Sequence, residues 1–258
     1  MKIVRFIKDK KIKYGIIRGN SIKVLQGTPY RGIKYSGDEI PLDAVKLLIP
    51  SVPSKIICLG LNYVLHAAEG NFKLPSEPLI FLKPPSSLIG TEDNIVYPGM
   101  SERVDYEAEL AVVIGKKAAH VSAEEALDYI LGFTCFNDIT ARDLQSKDGQ
   151  WTRAKGFDTF SAAGPWIETE VNYKDCPVET YLNGEIKQQG TTRDMIFSVP
   201  QIISFISQVM TLLPGDVIAT GTPAGIGPMH PGDKVEIKIA PVGTLRNYVV
   251  KPPVKQGK

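Results

Sequence analysis

Histidine and cysteine are both scarce in this chain. Three of each occur among 258 residues, and Cys58, Cys135 and Cys176 stand far apart with no CxxC pair. That spacing excludes a disulfide framework and a zinc ribbon. Any catalytic histidine must be His66, His120 or His230. No apolar run approaches the roughly 20 residues that span a bilayer. The first residues, Met1-Lys2-Ile3-Val4-Arg5, lack the long apolar stretch of a secretory signal. A charge excess is missing as well: 30 Lys+Arg against 28 Asp+Glu leave +2, with no basic run. Nucleic acid and anionic membranes are therefore not expected partners. A soluble cytoplasmic protein is expected.

What is present is apolar residue content, 43% of the chain. It suffices for one large core with a small appendage. Pro50 and Pro53 mark the boundary, giving a small N-terminal β segment over 1–50 and a main domain over 51–258. Short strands are predicted at 2–7, 12–18 and 21–25, and a short helix at 42–48. Strands follow at 55–58, 79–82, 131–136, 217–220, 234–239 and 245–250, the last two as a hairpin. Ser122-Ala123-Glu124-Glu125 and Ser198-Val199-Pro200-Gln201 are capping-box patterns. They predict helices over 122–130 and from 198, the second burying Ile202, Ile203, Phe205, Ile206, Val209 and Met210. The tail 251–258 reads as frayed. Strands outnumber helices without regular alternation, so the class is α+β and strand-rich.

The most informative segment is Val104-Asp105-Tyr106-Glu107-Ala108-Glu109-Leu110-Ala111-Val112-Val113-Ile114. Its second half is apolar and β-branched, which predicts a strand entering the core. Alternation places Asp105, Glu107 and Glu109 on one face, about 7 Å apart. Carboxylates stacked beside a buried run repel and lose hydration. A proton or a cation relieves this, and an all-oxygen set suits Mg²⁺, Mn²⁺ or Ca²⁺. A solvated strand end is the other reading of this segment.

Other chemistry-bearing residues are scattered. Asp138 follows the strand at 131–136, where it reads as a site carboxylate or a turn former. Arg142 and Gln145, spaced i, i+3, can present a guanidinium and an amide to a carboxylate, or can line a surface helix. His66 and Glu69 share that spacing and can form a base oriented by an acid, or an exposed helix pair. Lys155, amid Ala154, Gly156 and Phe157, is expected to be partly buried with an anionic partner. The glycine-rich loop at 221–227 can offer backbone N–H groups to an anion. It lacks the Lys-Ser/Thr ending of a P-loop. His120 and His230 receive no role.

Taken in order, these elements resemble one family. Gly60-Leu61-Asn62-Tyr63 with His66 and Glu69, Phe81-Leu82-Lys83-Pro84, Asp105-Tyr106-Glu107-Ala108-Glu109-Leu110, Asn137-Asp138-Ile139-Thr140-Ala141-Arg142-Asp143, Lys155-Gly156-Phe157-Asp158 and Thr220-Gly221-Thr222-Pro223-Ala224-Gly225 stand as in the fumarylacetoacetate hydrolase family. The resemblance covers about residues 53–250. It implies a mixed β-sandwich roll, a homodimer, and Mg²⁺ or Mn²⁺ held by Glu107, Glu109 and Asp138. It implies a His66–Glu69 dyad on a lid, Lys155 beside the developing oxyanion, and substrate contacts from Arg142, Gln145 and Thr222. Fumarylacetoacetases proper carry a further aspartate before the catalytic histidine, and residues 58–65 contain no acid. The resemblance is therefore to smaller relatives acting on 2-oxo acids or their enols. Acylpyruvate hydrolysis or oxaloacetate decarboxylation is expected first. The alternatives are isomerisation or hydration of 2-hydroxy-dienoate diacids, and a non-catalytic metal- or carboxylate-binding role.

Overall fold

A computed structural model describes residues 1–253, and the remainder of the tail lies outside the described residues. Strands dominate, in sheets of twelve, three and five members. The largest sheet is mixed. Its central strand, Ala108–Ile114, is buried along its whole length. It pairs antiparallel with Ile130–Asp138 on one side and with Val217–Ala219 on the other. Val217–Ala219 then pairs in parallel with Ile56–Gly60, which pairs with Leu79–Lys83. A strand covered on both faces must be apolar on both, and Leu110-Ala111-Val112-Val113-Ile114 meets that demand.

The N-terminal strands Lys2–Lys8, Lys11–Arg18 and Ser21–Leu25 form the expected meander. They continue the large sheet through Ser161–Glu168, in the register Ile3↔Ile167. The Met1 ammonium caps this junction at 2.7 Å from Glu168. Lys234–Ile239 and Gly243–Val250 form the expected hairpin in the five-stranded sheet.

Two expected helices are shorter than the sequence suggested. Residues 42–48 give only a 3-10 turn at Leu42–Ala44. The chain then becomes the strand Lys46–Leu48, drawn out by pairing with Lys2–Lys8. Ser122 and Glu125 do make their capping contacts, the Glu125 N–H donating to Ser122 Oγ at 3.4 Å. The turn they start is a 3-10 helix, Ala126–Tyr129. It ends because the Tyr129 carbonyl accepts from Gly115 N–H at 2.7 Å, which returns the chain to the sheet. The second capping box does open a full helix, Val199–Val209. Ile202, Ile203 and Ile206 are buried beneath it, while Val209 falls on the exposed side.

The acidic segment is not one strand. It breaks at Glu107, between Val104–Tyr106 in the three-stranded sheet and Ala108–Ile114 in the large one. Asp105 and Glu107 are still bridged by the Arg142 guanidinium, but Asp105 lies outside the cluster that Glu107 and Glu109 form with Asp138. Glu107 remains beside Asp138 because the antiparallel register runs Ala108↔Asn137. Asp138 N–H donates to the Glu107 carbonyl at 2.9 Å, and Glu107 N–H donates to Asn137 Oδ1 at 3.0 Å.

Candidate active site

Two adjacent strands thus carry three carboxylates into one buried place. Glu107, Glu109 and Asp138 each offer an oxygen within 4.8 Å of the others. All three side chains are withdrawn from water. Such a cluster is stable only with compensating positive charge. Lys155 supplies part of it: its Nζ donates to Glu107 Oε2 at 2.8 Å and to Asp138 Oδ2 at 2.7 Å. The expectation of a partly buried lysine with an anionic partner was too mild, since Lys155 is 3% exposed and has two. Lys83 supplies more, gripping the other Asp138 oxygen and donating to the Phe160 carbonyl at 2.6 Å. Arg142 pairs with the remaining Glu107 oxygen, to which Thr140 also donates at 3.1 Å.

Electrostatics differ sharply among these carboxylates. Burial pushes Glu107 upward, but Lys155 and Arg142 outweigh it and hold the group well below the usual carboxylate range. Burial also pushes Glu109 upward, and there the negative charges of Asp138 and Glu107 add to the effect. Lys155 and the Gly221 N–H oppose this without reversing it. The only hydrogen bond to the Glu109 carboxylate among the described residues comes from that N–H, at 2.7 Å. Gly221 points its amide inward with φ +95, and a Cβ there would meet Asn62 Cβ at 2.8 Å. Lys155 is raised because its two carboxylates outweigh burial.

This arrangement tests the donor set for a metal, and the residues fit. Three buried carboxylates offer only hard oxygen ligands, and one of them lacks a cationic partner of its own. A divalent cation satisfies both conditions.

The raised Glu109 has a consequence for stability. The folded protein binds this proton more tightly than the unfolded chain does. Its contribution is therefore present below the usual 4.5 and is lost as pH rises through the raised value. Glu109→Gln removes the titration. In EDTA the two proteins should have similar Tm near pH 4, and by pH 8 the wild type should lie about 2–4 °C below the variant, the shift about 1 kcal/mol produces at this size. A Tm difference that does not change with pH contradicts the argument.

The carboxylates and Lys155 open on a cavity of about 530 Å³. Arg142, Gln145 and Thr222 line it, as do His66 and Glu69. The helix Arg142–Asp148 brings Arg142 Nη1 to 2.6 Å from Gln145 Oε1. Thr222 Oγ1 accepts from Gln188 Nε2 at 2.8 Å. His66 and Glu69 sit on the one short helix Val64–Glu69, with His66 Nδ1 3.2 Å from Glu69 Oε2. Its base is fixed by Asn62, which donates to the Thr220 carbonyl at 2.7 Å and accepts from Phe197 N–H at 2.8 Å. All nine sequence-derived residues except Asp138 line this cavity, and Asp138 lies directly behind it, against Lys155.

The glycine-rich loop does offer amides to anions, but the anions belong to the protein. Gly221 serves Glu109, and Gly225 N–H donates to Glu69 at 3.2 Å. Sequence reasoning gave no site role to Lys83, Arg103 or Trp151, and it did not foresee the partners of Asp105. Lys83 carried a signal, a lysine closing an apolar strand before a proline. Asp105 is buried and receives Arg142 Nε at 2.9 Å and Arg103 Nε at 2.9 Å, which no local pattern announces.

Comparison with known proteins agrees with this geometry. A family model described as fumarylacetoacetate (FAA) hydrolase C-terminal matches residues 55–250, and one described as Rv2993c-like, N-terminal, matches residues 1–50. An uncharacterized protein of Archaeoglobus fulgidus is 55% identical over 217 residues, 84% of this chain and 87% of its own. The human mitochondrial oxaloacetate tautomerase FAHD2A is 41% identical over 224 residues, 82% of this chain and 71% of its own. The crystal structure of 5-carboxymethyl-2-hydroxymuconate delta-isomerase from Mycobacterium smegmatis matches with a TM-score of 0.93 and 41% identity. That match covers 98% of this chain and all of the other.

Proposed function

The chain belongs to the fumarylacetoacetate hydrolase family, and on that premise we propose that it moves a proton at the carbon beside the 2-oxo group of a small 2-oxo acid, as a metal-dependent tautomerase or isomerase. One observation carries this reading. A buried carboxylate cluster that suits a divalent ion shares a single cavity with a histidine–glutamate pair. The first makes an enolate accessible, and the second handles the proton that an enolate requires. The names of the tautomerase and isomerase relatives favour the same chemistry.

Glu107, Glu109 and Asp138 would hold the ion, with Mg²⁺ the first choice for three carboxylates and Mn²⁺ or Ca²⁺ as substitutes. When bound, it supplies a Lewis acid that stabilises negative charge developing on the 2-oxo oxygen. Lys155 adds positive charge at the same wall. Arg142 and Gln145, linked to each other, present N–H groups to the substrate carboxylate, and Thr222 borders the same space. The hydrogen bond from His66 Nδ1 to Glu69 leaves Nε2 as the basic nitrogen, able to take the proton from one carbon or oxygen and return it to another. The Gly225 N–H keeps Glu69 aligned for that purpose.

A second reading rests on the same dyad. A base oriented by a carboxylate can also activate water for attack on a distal carbonyl, giving acylpyruvate hydrolysis, and the enolate-stabilising wall alone suffices for oxaloacetate decarboxylation. The readings separate in one assay. Oxaloacetate, short acylpyruvates and 2-hydroxy-dienoate diacids are supplied with Mg²⁺ to the purified protein. Enol–keto conversion is followed by ultraviolet absorbance and pyruvate release by a coupled dehydrogenase. Enol–keto conversion that outruns pyruvate release on every substrate is expected. Pyruvate release as the faster event would move the assignment to C–C cleavage.

A further inference from the structure

We propose that Arg103 reads the second carboxylate of the substrate and so makes this a site for dicarboxylic 2-oxo acids. The inference rests on the 2-oxo acid reading above and deepens it. Arg103 lines the same cavity as the carboxylate cluster, on the residue before the strand Val104–Tyr106. Its guanidinium is not loose. Nε donates to Asp105 Oδ1 at 2.9 Å and Nη2 to Asp105 Oδ2 at 3.2 Å, a two-point grip on a fully buried acid. A bidentate pair fixes the plane of an arginine as well as its position.

The same aspartate also holds Arg142, so one carboxylate orients two guanidinium groups into one wall. Their remaining capacity differs. Arg142 has an acceptor at each of its three nitrogens: Asp105, Gln145 and Glu107. Arg103 keeps Nη1 with no acceptor among the described residues, and half of its side chain is exposed. It is thus the cavity cation with a whole nitrogen available. Unlike Arg142, it makes no ion pair with Glu107, Glu109 or Asp138 among the described residues, which leaves it for a group of the substrate remote from the cluster.

Charge balance suits an anionic ligand. Asp105, Glu107, Glu109, Asp138 and Glu69 stand with Arg103, Arg142, Lys155 and Lys83 at this site. A divalent ion in the cluster makes the set net positive. Asp105, which has no place among the proposed metal ligands, becomes the positioning residue for both arginines.

The test compares oxaloacetate with 2-oxobutyrate, which has the same carbon chain with a methyl in place of the distal carboxylate. Hydrogen–deuterium exchange at C3 gives turnover. Quenching of tryptophan fluorescence gives binding, since Trp151 lines the cavity. The wild type should favour oxaloacetate. Arg103→Met should raise the oxaloacetate KM and Kd about tenfold or more beyond any change it makes in those for 2-oxobutyrate, the loss typical of one charge-assisted contact. Arg103→Lys should fall between. Equal weakening of both ligands, or no preference in the wild type, overturns the proposal. If the wild type binds with this preference but exchanges neither ligand, the proton-transfer reading fails and the assignment of Arg103 stands. If neither ligand binds, both fail.

Discussion

Glu107→Gln should reduce divalent-cation affinity at least a hundredfold and turnover about a thousandfold or more, the scale lost when a preorganised charge stabiliser is removed. The substitution keeps shape and one oxygen acceptor while deleting the charge. Glu107 is the carboxylate most firmly held in ionised form, because Lys155 and Arg142 flank it. In the neighbouring position Glu109 is pushed toward its neutral form. Glu107 is thus the anion the site can least replace. The fold should survive, since the glutamine oxygen still accepts from Lys155 or Thr140 and Asp138 continues to pair with Lys155 and Lys83. Breaking a buried ion pair commonly costs about 3–5 kcal/mol, so the variant should melt earlier yet cooperatively. Calorimetric titration with Mn²⁺ and circular dichroism on the same sample check both halves. Wild-type Mn²⁺ affinity in Glu107→Gln contradicts the proposed ligand set.

His66→Ala should lower proton transfer and hydrolysis by about 10²–10⁴, the usual contribution of a positioned acid–base group. Decarboxylation of oxaloacetate needs no base and should change by less than tenfold. The difference arises from geometry: His66 and Glu69 sit on the short helix at the cavity mouth, while the carboxylate cluster and Lys155 are built into the sheet behind it. Removing the imidazole leaves the cluster intact. Glu69→Gln should follow in the same direction with a smaller loss, because it orients His66 and does not replace it. Exchange of the C3 proton and pyruvate release, measured on one preparation of His66→Ala, separate the two effects. Equal loss of both contradicts the division of labour.

Much of this site was legible before any coordinates, for physical reasons. Lys155, Arg142 and Gln145 were visible as groups in short local patterns, alternation grouped Glu107 and Glu109 with Asp105, and only the family resemblance joined Asp138 to Glu107 and Glu109. The family resemblance joined pieces that no single pattern joins. What escaped were contacts between distant segments. Lys83 reaches Asp138 across 55 positions, and Asp105 reaches Arg142 across 37. Neither pairing leaves a periodic trace. Alternation grouped Asp105 with Glu107 and Glu109; Arg142 does bridge Asp105 to Glu107, but the cluster's third carboxylate is Asp138. Asp105 has a separate task as the anchor of two arginines. The shortened helices at 42–48 and 122–130 failed for a related reason. Local capping and propensity favoured them, and sheet pairing by Lys46–Leu48 and by Ile130–Asp138 prevailed.

The most direct test of the central claim is the enol–keto conversion rate of oxaloacetate over a Mg²⁺ titration of chelator-stripped wild-type protein. The account predicts negligible acceleration in EDTA and a saturable recovery on adding Mg²⁺ or Mn²⁺ that Glu107→Gln cannot show. Full activity after complete chelation would contradict it.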